Sequence, residues 1–272
     1  MFDTGDSVRM YRSVDIVGCI LPHVTWSGSA VIEPGLLVYH GELGTAHKHN
    51  HAAVQIAIAG TGNVTFTDET GRCVEGSAGL IPAGASHAID GGAATGLMIY
   101  VDSTGVAGRR LAALVSEADR DDVRAWIVAA QHVTHYDDSV PVTEAAEAVL
   151  LQLMGRHDEP VFVEPSHPSV RQAIDLLPSL LSGPVRLTDV ARAVHLSPDR
   201  LGRLFARNVG LSFSAYVRWA RLMRAMEVAR DGGTLTDAAH AAGFSDSSHA
   251  NRVVHEMFGI APITAQRGVR LS

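Results

Sequence analysis

The spacing of apolar positions changes character along the chain. Up to about residue 102 it comes in short runs separated by glycine-rich breaks. Segments 14–19, 36–40, 53–59, 63–67, 79–81 and 97–101 each read as a strand. Gly60-Thr61-Gly62-Asn63 and Asp68-Glu69-Thr70-Gly71 are turn sequences of the kind that join hairpins. Short, evenly spaced strands of this sort predict a barrel or a sandwich. Beyond residue 105 the period becomes helical. Leu111, Leu114 and Val115, then Val123, Trp126, Ile127 and Ala130, fall on one side of two helices interrupted at 119–122. Residues 142–154 predict a third helix, with Ala145, Ala146, Val149, Leu150 and Leu153 on one stripe. Three prolines and several charges mark 155–168 as a linker. A helix over 170–181 then ends at Ser182-Gly183-Pro184.

Residues 187–262 contain one pattern written twice. Leu187-Thr188-Asp189-Val190-Ala191, Leu196-Ser197, Arg203 and Val209-Gly210-Leu211 return as Leu235-Thr236-Asp237-Ala238-Ala239, Phe244-Ser245, Arg252 and Phe258-Gly259-Ile260. The second copy carries one extra residue. Such a repeat implies a duplicated supersecondary unit. Each copy reads as a helix, a tight turn and a second helix. Thr188 and Thr236 are expected to cap the first helices, and Ser197-Pro198 and Ser245-Asp246 to open the second. On the second helix of the first copy, Leu201, Leu204 and Phe205 share one face, and Arg200, Arg203 and Arg207 share another. In the second copy Ala250, Val253, Val254 and Met257 form the apolar stripe, and Ser248, Asn251, Arg252 and His255 the polar one. Residues 215–230 hold no glycine or proline, and predict a helix that keeps the two units at a fixed separation. A helix, a short turn and a second helix is the build that places its second helix in the DNA major groove.

Several spaced motifs in this region resemble the arabinose-operon regulator (AraC/XylS) family. They are Tyr216-Val217-Arg218-Trp219-Ala220-Arg221-Leu222, Gly243-Phe244-Ser245-Asp246-Ser247-Ser248-His249 and Phe258-Gly259-Ile260-Ala261-Pro262. The resemblance covers about residues 169 to 268. It implies a seven-helix domain whose two helix-turn-helix units read adjacent major-groove segments. Arg200, Arg203, Arg207, Ser248, Asn251, Arg252 and His255 are then the groove-facing candidates, and Arg218 and Arg221 would reach phosphates or anchor the connecting helix. The chain departs from the family at Ala250 and Val254, where an aromatic is usual, and near His255, where Lys or Arg is usual. By the same resemblance, the helices after the barrel would form a homodimer interface, and packing of their apolar stripe back on the barrel is the equally good alternative.

Charge agrees with that division. Residues 1–168 carry 9 basic and 21 acidic side chains, whereas 169–272 carry 13 basic and 8 acidic, within a net charge of −7. The surplus of positive charge in the tail suits a polyanionic partner there. Apart from Lys48 the cations are arginines, suited to bidentate phosphate and guanine contacts. Cys19 and Cys73 lack any paired or metal-type spacing, which points to a reducing compartment. With neither a signal-like start nor an apolar run of membrane-spanning length, the expectation is a soluble, cytoplasmic protein.

Histidines give the first domain candidate chemistry. The series Gly41, His47, His49, Gln55, Gly62 resembles the first motif of the cupin barrel, with Gln55 in place of the usual Glu, and Gly76, Pro82, Gly84, His87 resembles the second. The resemblance covers about residues 35 to 102 and implies a jelly roll of two Greek keys with the motif residues inside its mouth. His47, His49 and His87, with Gln55 or His51 as fourth ligand, would hold a divalent Zn, Ni, Mn or Fe ion. The competing reading is a hydrogen-bonding pocket for an organic effector. One of Tyr39 and His40 is expected to face the pocket, whereas His23 has no evident partner.

The expectation is a multi-domain α and β chain. A cupin-like effector domain spans 1–104, a helical dimerisation segment 105–155, a linker 156–168 and an all-α DNA-binding domain 169–272. The function it implies is a transcription regulator, not an enzyme, that binds double-stranded DNA, senses a small molecule or metal and forms a homodimer away from membranes. The alternative is a cupin metalloenzyme with an appended helical domain, which leaves the duplicated unit unexplained.

Overall fold

The computed structural model describes residues 26–133, 135–155, 167–260 and 269–271. The strand expected over 14–19, Cys19, His23 and most of the linker lie outside them. Among the described residues, nine strands form the first part: β1 (Ser27–Glu33), β2 (Leu36–Glu42), β3 (Thr45–His49), β4 (Ala53–Thr61), β5 (Val64–Thr67), β6 (Cys73–Gly76), β7 (Ala78–Ile81), β8 (His87–Asp90) and β9 (Thr95–Asp102). A last strand, β10 (Val269–Leu271), comes from the other end of the chain. Two sheets result, ordered β10-β1-β2-β9-β4-β7 and β3-β8-β5-β6. All pairings are antiparallel except β10 on β1, where Gly28 faces Val269.

Strands β4 and β9 are buried along most of their length on both faces, and Val38, Ile56, Ile58, Leu97 and Ile99 are fully excluded from solvent. Phe66 of β5 and Leu80 of β7 are likewise fully buried. Helices α1 (Val106–Ala112), α2 (Val123–Ala130) and α3 (Val142–Met154) pack on the outside of the sheets. Trp126 of α2 is fully buried, and its indole N–H donates to the Arg120 carbonyl at 2.7 Å. The stripe of α3 expected to pair two chains, Ala145, Ala146, Val149, Leu150 and Leu153, is buried within this one. It covers β2 and α1, so an apolar face that could dimerise is satisfied by the chain's own sheet.

The remaining helices are α4 (Pro168–Leu180), α5 (Leu187–Ala193), α6 (Pro198–Val209), α7 (Phe213–Arg230), α8 (Leu235–Ala241) and α9 (Ser247–Phe258). The pairs α5–α6 and α8–α9 share a build. Each turns through one left-handed residue at the equivalent position, His195 (φ 57°) in the first and Gly243 (φ 73°) in the second. The longer helix of each pair ends on a left-handed glycine, Gly210 (φ 78°) and Gly259 (φ 66°). Phe205 of α6 is fully buried against Phe213 and Tyr216, with ring centroids 5.3 and 5.4 Å away.

The caps differ from the sequence expectation. Thr188 and Thr236 lie inside their helices. The N-cap of α5 is Arg186, without a side-chain bond, and that of α8 is Thr234. Thr234 forms a reciprocal capping box with Asp237, so the acid three residues on selects it over Thr236. Ser197 caps α6 as expected, but Asp246, not Ser245, caps α9. The extra residue of the second copy falls here and moves the cap by one position.

Candidate functional site

Two sets of residues carry the candidate chemistry. The first lies on α6 and α9. Ser197 and Asp246 accept hydrogen bonds from the backbone N–H of Arg200 and His249, which fixes the start of each helix. Leu201 and Phe205 are buried on one side of α6, which leaves Arg200, Arg203 and Arg207 exposed on the other. Arg203 is held by Asp199, with an Nη1–Oδ2 distance of 2.7 Å, in an exposed pair one turn apart. On α9, Val253 and Met257 are buried, Ser248 and Arg252 are exposed, and Asn251 is half-buried. His255 is exposed too, but its Nδ1 engages the Ile260 carbonyl at 3.1 Å and its ring shares a cleft with Lys48, His49 and Asn50. Arg221 donates to the Gly183 carbonyl at 2.6 Å, so it anchors α7 to the end of α4.

The second set is buried in the mouth of the two-sheet domain. His49 ends β3, His51 follows it, His87 opens β8, and Gln55 lies on β4. All four are at most 5% exposed, and one ring nitrogen from each histidine lies within 4.8 Å of the others. His47 is not among them. The pairing of β3 with β8 shifts register between Ala46 and His49, which breaks strict alternation and leaves His47 exposed. The pair that faces inward is therefore His49 and His51, with Gln55 four positions further on.

Proton positions decide what this cluster can hold. Each Nδ1 meets a backbone carbonyl: His49 that of His47 (2.7 Å), His51 that of Ala53 (3.0 Å) and His87 that of Ala85 (2.9 Å). A carbonyl only accepts, so each Nδ1 carries the proton and each Nε2 presents a bare lone pair. Burial holds the rings neutral. His49 is pushed down to about 3, first by burial and then by neighbouring His51, and His51 and His87 are lowered first by burial as well.

Gln55 turns its Oε1 to the Nε2 atoms of His51 (2.8 Å) and His87 (2.9 Å), and its amide donates to Tyr100 Oη (3.3 Å) and Met98 Sδ (3.4 Å). Lone pairs thus face lone pairs with no proton between them. Turning the amide over would satisfy His51 and His87 but leave His49 Nε2, a buried atom with no hydrogen-bond partner among the described residues. Three imidazole nitrogens and a carbonyl oxygen, all acceptors, fit a divalent cation.

The helical part closes this mouth. The ring of Trp219 of α7 lies tilted to that of His51 with centroids 5.9 Å apart, and Phe258 of α9 lies edge-on to Tyr100 at 5.3 Å. Tyr216 donates to Asp102 Oδ2 (3.3 Å), and Arg230 to the Ile32 carbonyl (2.9 Å). Beside the cluster a mainly apolar chamber of about 640 Å³ runs between the sheet and these helices, walled by Leu37, Tyr39 and Met98 on one side and Met226, Val254 and Phe258 on the other. Tyr39, not His40, faces it, and burial raises its phenol to about 12. This junction had no signal in the sequence, because no local pattern encodes a contact between distant segments.

Residues 190–268 match the family model described as a helix-turn-helix domain. The HTH-type transcriptional activator RhaR of Pectobacterium carotovorum subsp. carotovorum (strain PC1) is 33% identical over 129 residues, 44% of this chain and 44% of that protein. The chain carries a helix-turn-helix domain over residues 190–268. The transcriptional activator RhrA of Rhizobium meliloti (strain 1021) is 32% identical to it over 92 residues, 33% of this chain and 29% of that one. The chain thus spans less than half the length of these curated relatives. In fold the likeness extends further. Apo ToxT from Vibrio cholerae strain SCE256 superposes with a TM-score of 0.57 at 12% identity, over 87% of this chain and 98% of that one. The matched domain contains α6 and α9, and among the described residues no helix is long and apolar enough to cross a membrane.

Proposed function

We propose that the protein is a ligand-responsive transcription regulator. Its AraC-type domain reads duplex DNA with two helix-turn-helix units, α5–α6 and α8–α9. Arg200, Arg203 and Arg207 enter one major-groove segment, and Ser248, Asn251 and Arg252 the next. The observation that carries this reading is the match over 190–268, joined to two helices that bury one face and expose arginines on the other. The two-sheet domain acts as a cupin-type sensor. His49, His51, His87 and Gln55 would hold one divalent ion of the Zn, Ni, Mn or Fe type, and the ion would draw their four facing lone pairs together. The apolar chamber offers room for an organic effector beside it. Enclosure by Trp219 and Phe258 suits sensing better than turnover, since a substrate would have to displace the DNA-binding domain to reach the histidines.

The test uses the full chain and a duplex enriched by it from a random pool. Metal content and duplex affinity are measured on one preparation, before and after chelation. The proposal expects tight, salt-dependent duplex binding and one bound divalent ion per chain. Tight metal with no duplex affinity at low salt would sink the regulator reading. Duplex affinity with no metal taken up would sink the ion and leave the regulator.

A further inference from the structure

The glycine that ends α9 is also part of the barrel mouth. Gly259 accepts a hydrogen bond from the His47 backbone N–H at 2.9 Å, at the irregular point of β3. The carbonyl of the same His47 accepts from His49 Nδ1 at 2.7 Å. A continuous path therefore runs from the α9 cap, through one residue's backbone, to a ring in the cluster. The fit is close. A Cβ at 259 would collide with the His47 carbonyl oxygen and stand 2.7 Å from His49 Nδ1. The first copy makes the matching contact elsewhere. Gly210 ends α6, and its carbonyl accepts from Arg120, at 3.2 Å, beside the Ala83–Gly84 turn. In that same loop the Ala85 carbonyl orients His87.

We propose that Gly259 is a positioning residue for the histidine site, so that filling the site and docking α9 against the barrel favour one another. The inference rests on the ion reading given above. His49 presents its Nε2 only while the His47 carbonyl holds its Nδ1, and docked α9 holds the same residue through its backbone N–H. Linkage is reciprocal, so an ion that binds better with α9 docked must hold α9 docked. The site then acts on the second helix-turn-helix unit through a backbone contact, with no metal ligand contributed by the DNA-binding domain.

The probe is Co²⁺ titrated into the metal-free full chain and followed by its visible absorption. Partners that orient metal-bound histidines are worth about 10- to 100-fold in affinity, and Gly259→Ala is expected to weaken Co²⁺ by at least about tenfold. Gly232→Ala is the control. It has the same left-handed backbone (φ 91°) in the same domain, with nothing within 4 Å of the added carbon, and should stay within about twofold of the parent chain. In the parent chain, Co²⁺ should also slow hydrogen exchange at the His47 amide and at the last turn of α9. This arm decides the matter if Gly259→Ala does not fold. Equal Co²⁺ affinity in the parent and Gly259→Ala, equal losses in both variants, or unchanged exchange would each overturn the proposal while the ion reading stands. Failure of the parent chain to bind Co²⁺ at all would remove both.

Discussion

Arg203 offers a prediction whose size follows from its surroundings. In the free chain its guanidinium is paired with Asp199, and the two side chains are 74% and 77% exposed. An exposed pair one turn apart is worth about 0.3–0.5 kcal/mol, so it costs little to give up when a better partner arrives. A bidentate base contact is worth about 1–3 kcal/mol. Arg203→Ala should therefore weaken binding to the enriched duplex by about 5- to 150-fold. Asp199→Ala should act in the opposite direction. It frees Arg203 and removes a carboxylate from the phosphate side, for a gain of roughly two- to fivefold. Fluorescence anisotropy at several salt concentrations separates two roles. A base reader leaves the salt slope nearly unchanged and relaxes preference at one base pair. A phosphate contact lowers the slope by about one and weakens all sequences alike. Arg203→Ala that folds normally and binds within twofold of the parent at moderate salt refutes the placement of α6 in the groove.

Other consequences are as specific. Phe205 is fully buried between Phe213 and Tyr216, and Phe205→Ala should cost about 3–5 kcal/mol in urea unfolding of the helical part, with a loss below 1 kcal/mol contradicting its place at the core. Gln55→Glu replaces a neutral ligand by a carboxylate facing the two neutral imidazoles of His51 and His87, so it should tighten Co²⁺ in a chelator competition and destabilise the metal-free chain, whose buried charge has no counter-ion; unchanged affinity would argue against Gln55 as a ligand. Asp68 is the acid-sensitive joint between the β5–β6 turn and α2. Burial raises its carboxyl, but hydrogen bonds from Thr70, Arg72 and Val123 outweigh that and leave it below the usual carboxylate value. A depressed folded value stabilises above the unfolded value of about 3.9 and stops doing so as pH falls through the folded one. The stability gap between parent and Asp68→Asn should then be full near pH 7 and shrink below about pH 4, whereas a constant gap would show that the charge plays no part.

Much of the helical architecture could be read from the chain, because each helix carries its own signals. Ser197-Pro198 and Gly210 bound α6, and the period of Leu201 and Phe205 sets its buried face. The duplicated pattern did the same for α9. Reading failed where two local signals compete. Thr234 and Thr236 are both plausible caps, and only the reach of the Asp237 side chain back to Thr234 separates them. His47, His49 and His51 are equally spaced, so alternation alone selects no pair, and the register shift in β3 decides. Four strands carry too weak a pattern to be named from the chain: β1, β3, β6 and β8. The first, Ser27–Glu33, is diluted by small residues, and the other three are only four or five residues long. The closure of the histidine mouth by Trp219 and Phe258 depends on residues more than a hundred positions away, for which no short-range pattern exists.

DNA reading by this chain, as proposed, requires α6 and α9 to enter neighbouring turns of one groove. Methylation protection of guanine N7 on the enriched duplex tests it directly, with the full chain bound. The account predicts two protected major-groove patches on one face of the duplex, with centres about 10 base pairs apart, the first lost in Arg203→Ala and the second in Arg252→Ala. A single patch that both variants weaken equally, or protection confined to the minor groove, would contradict it.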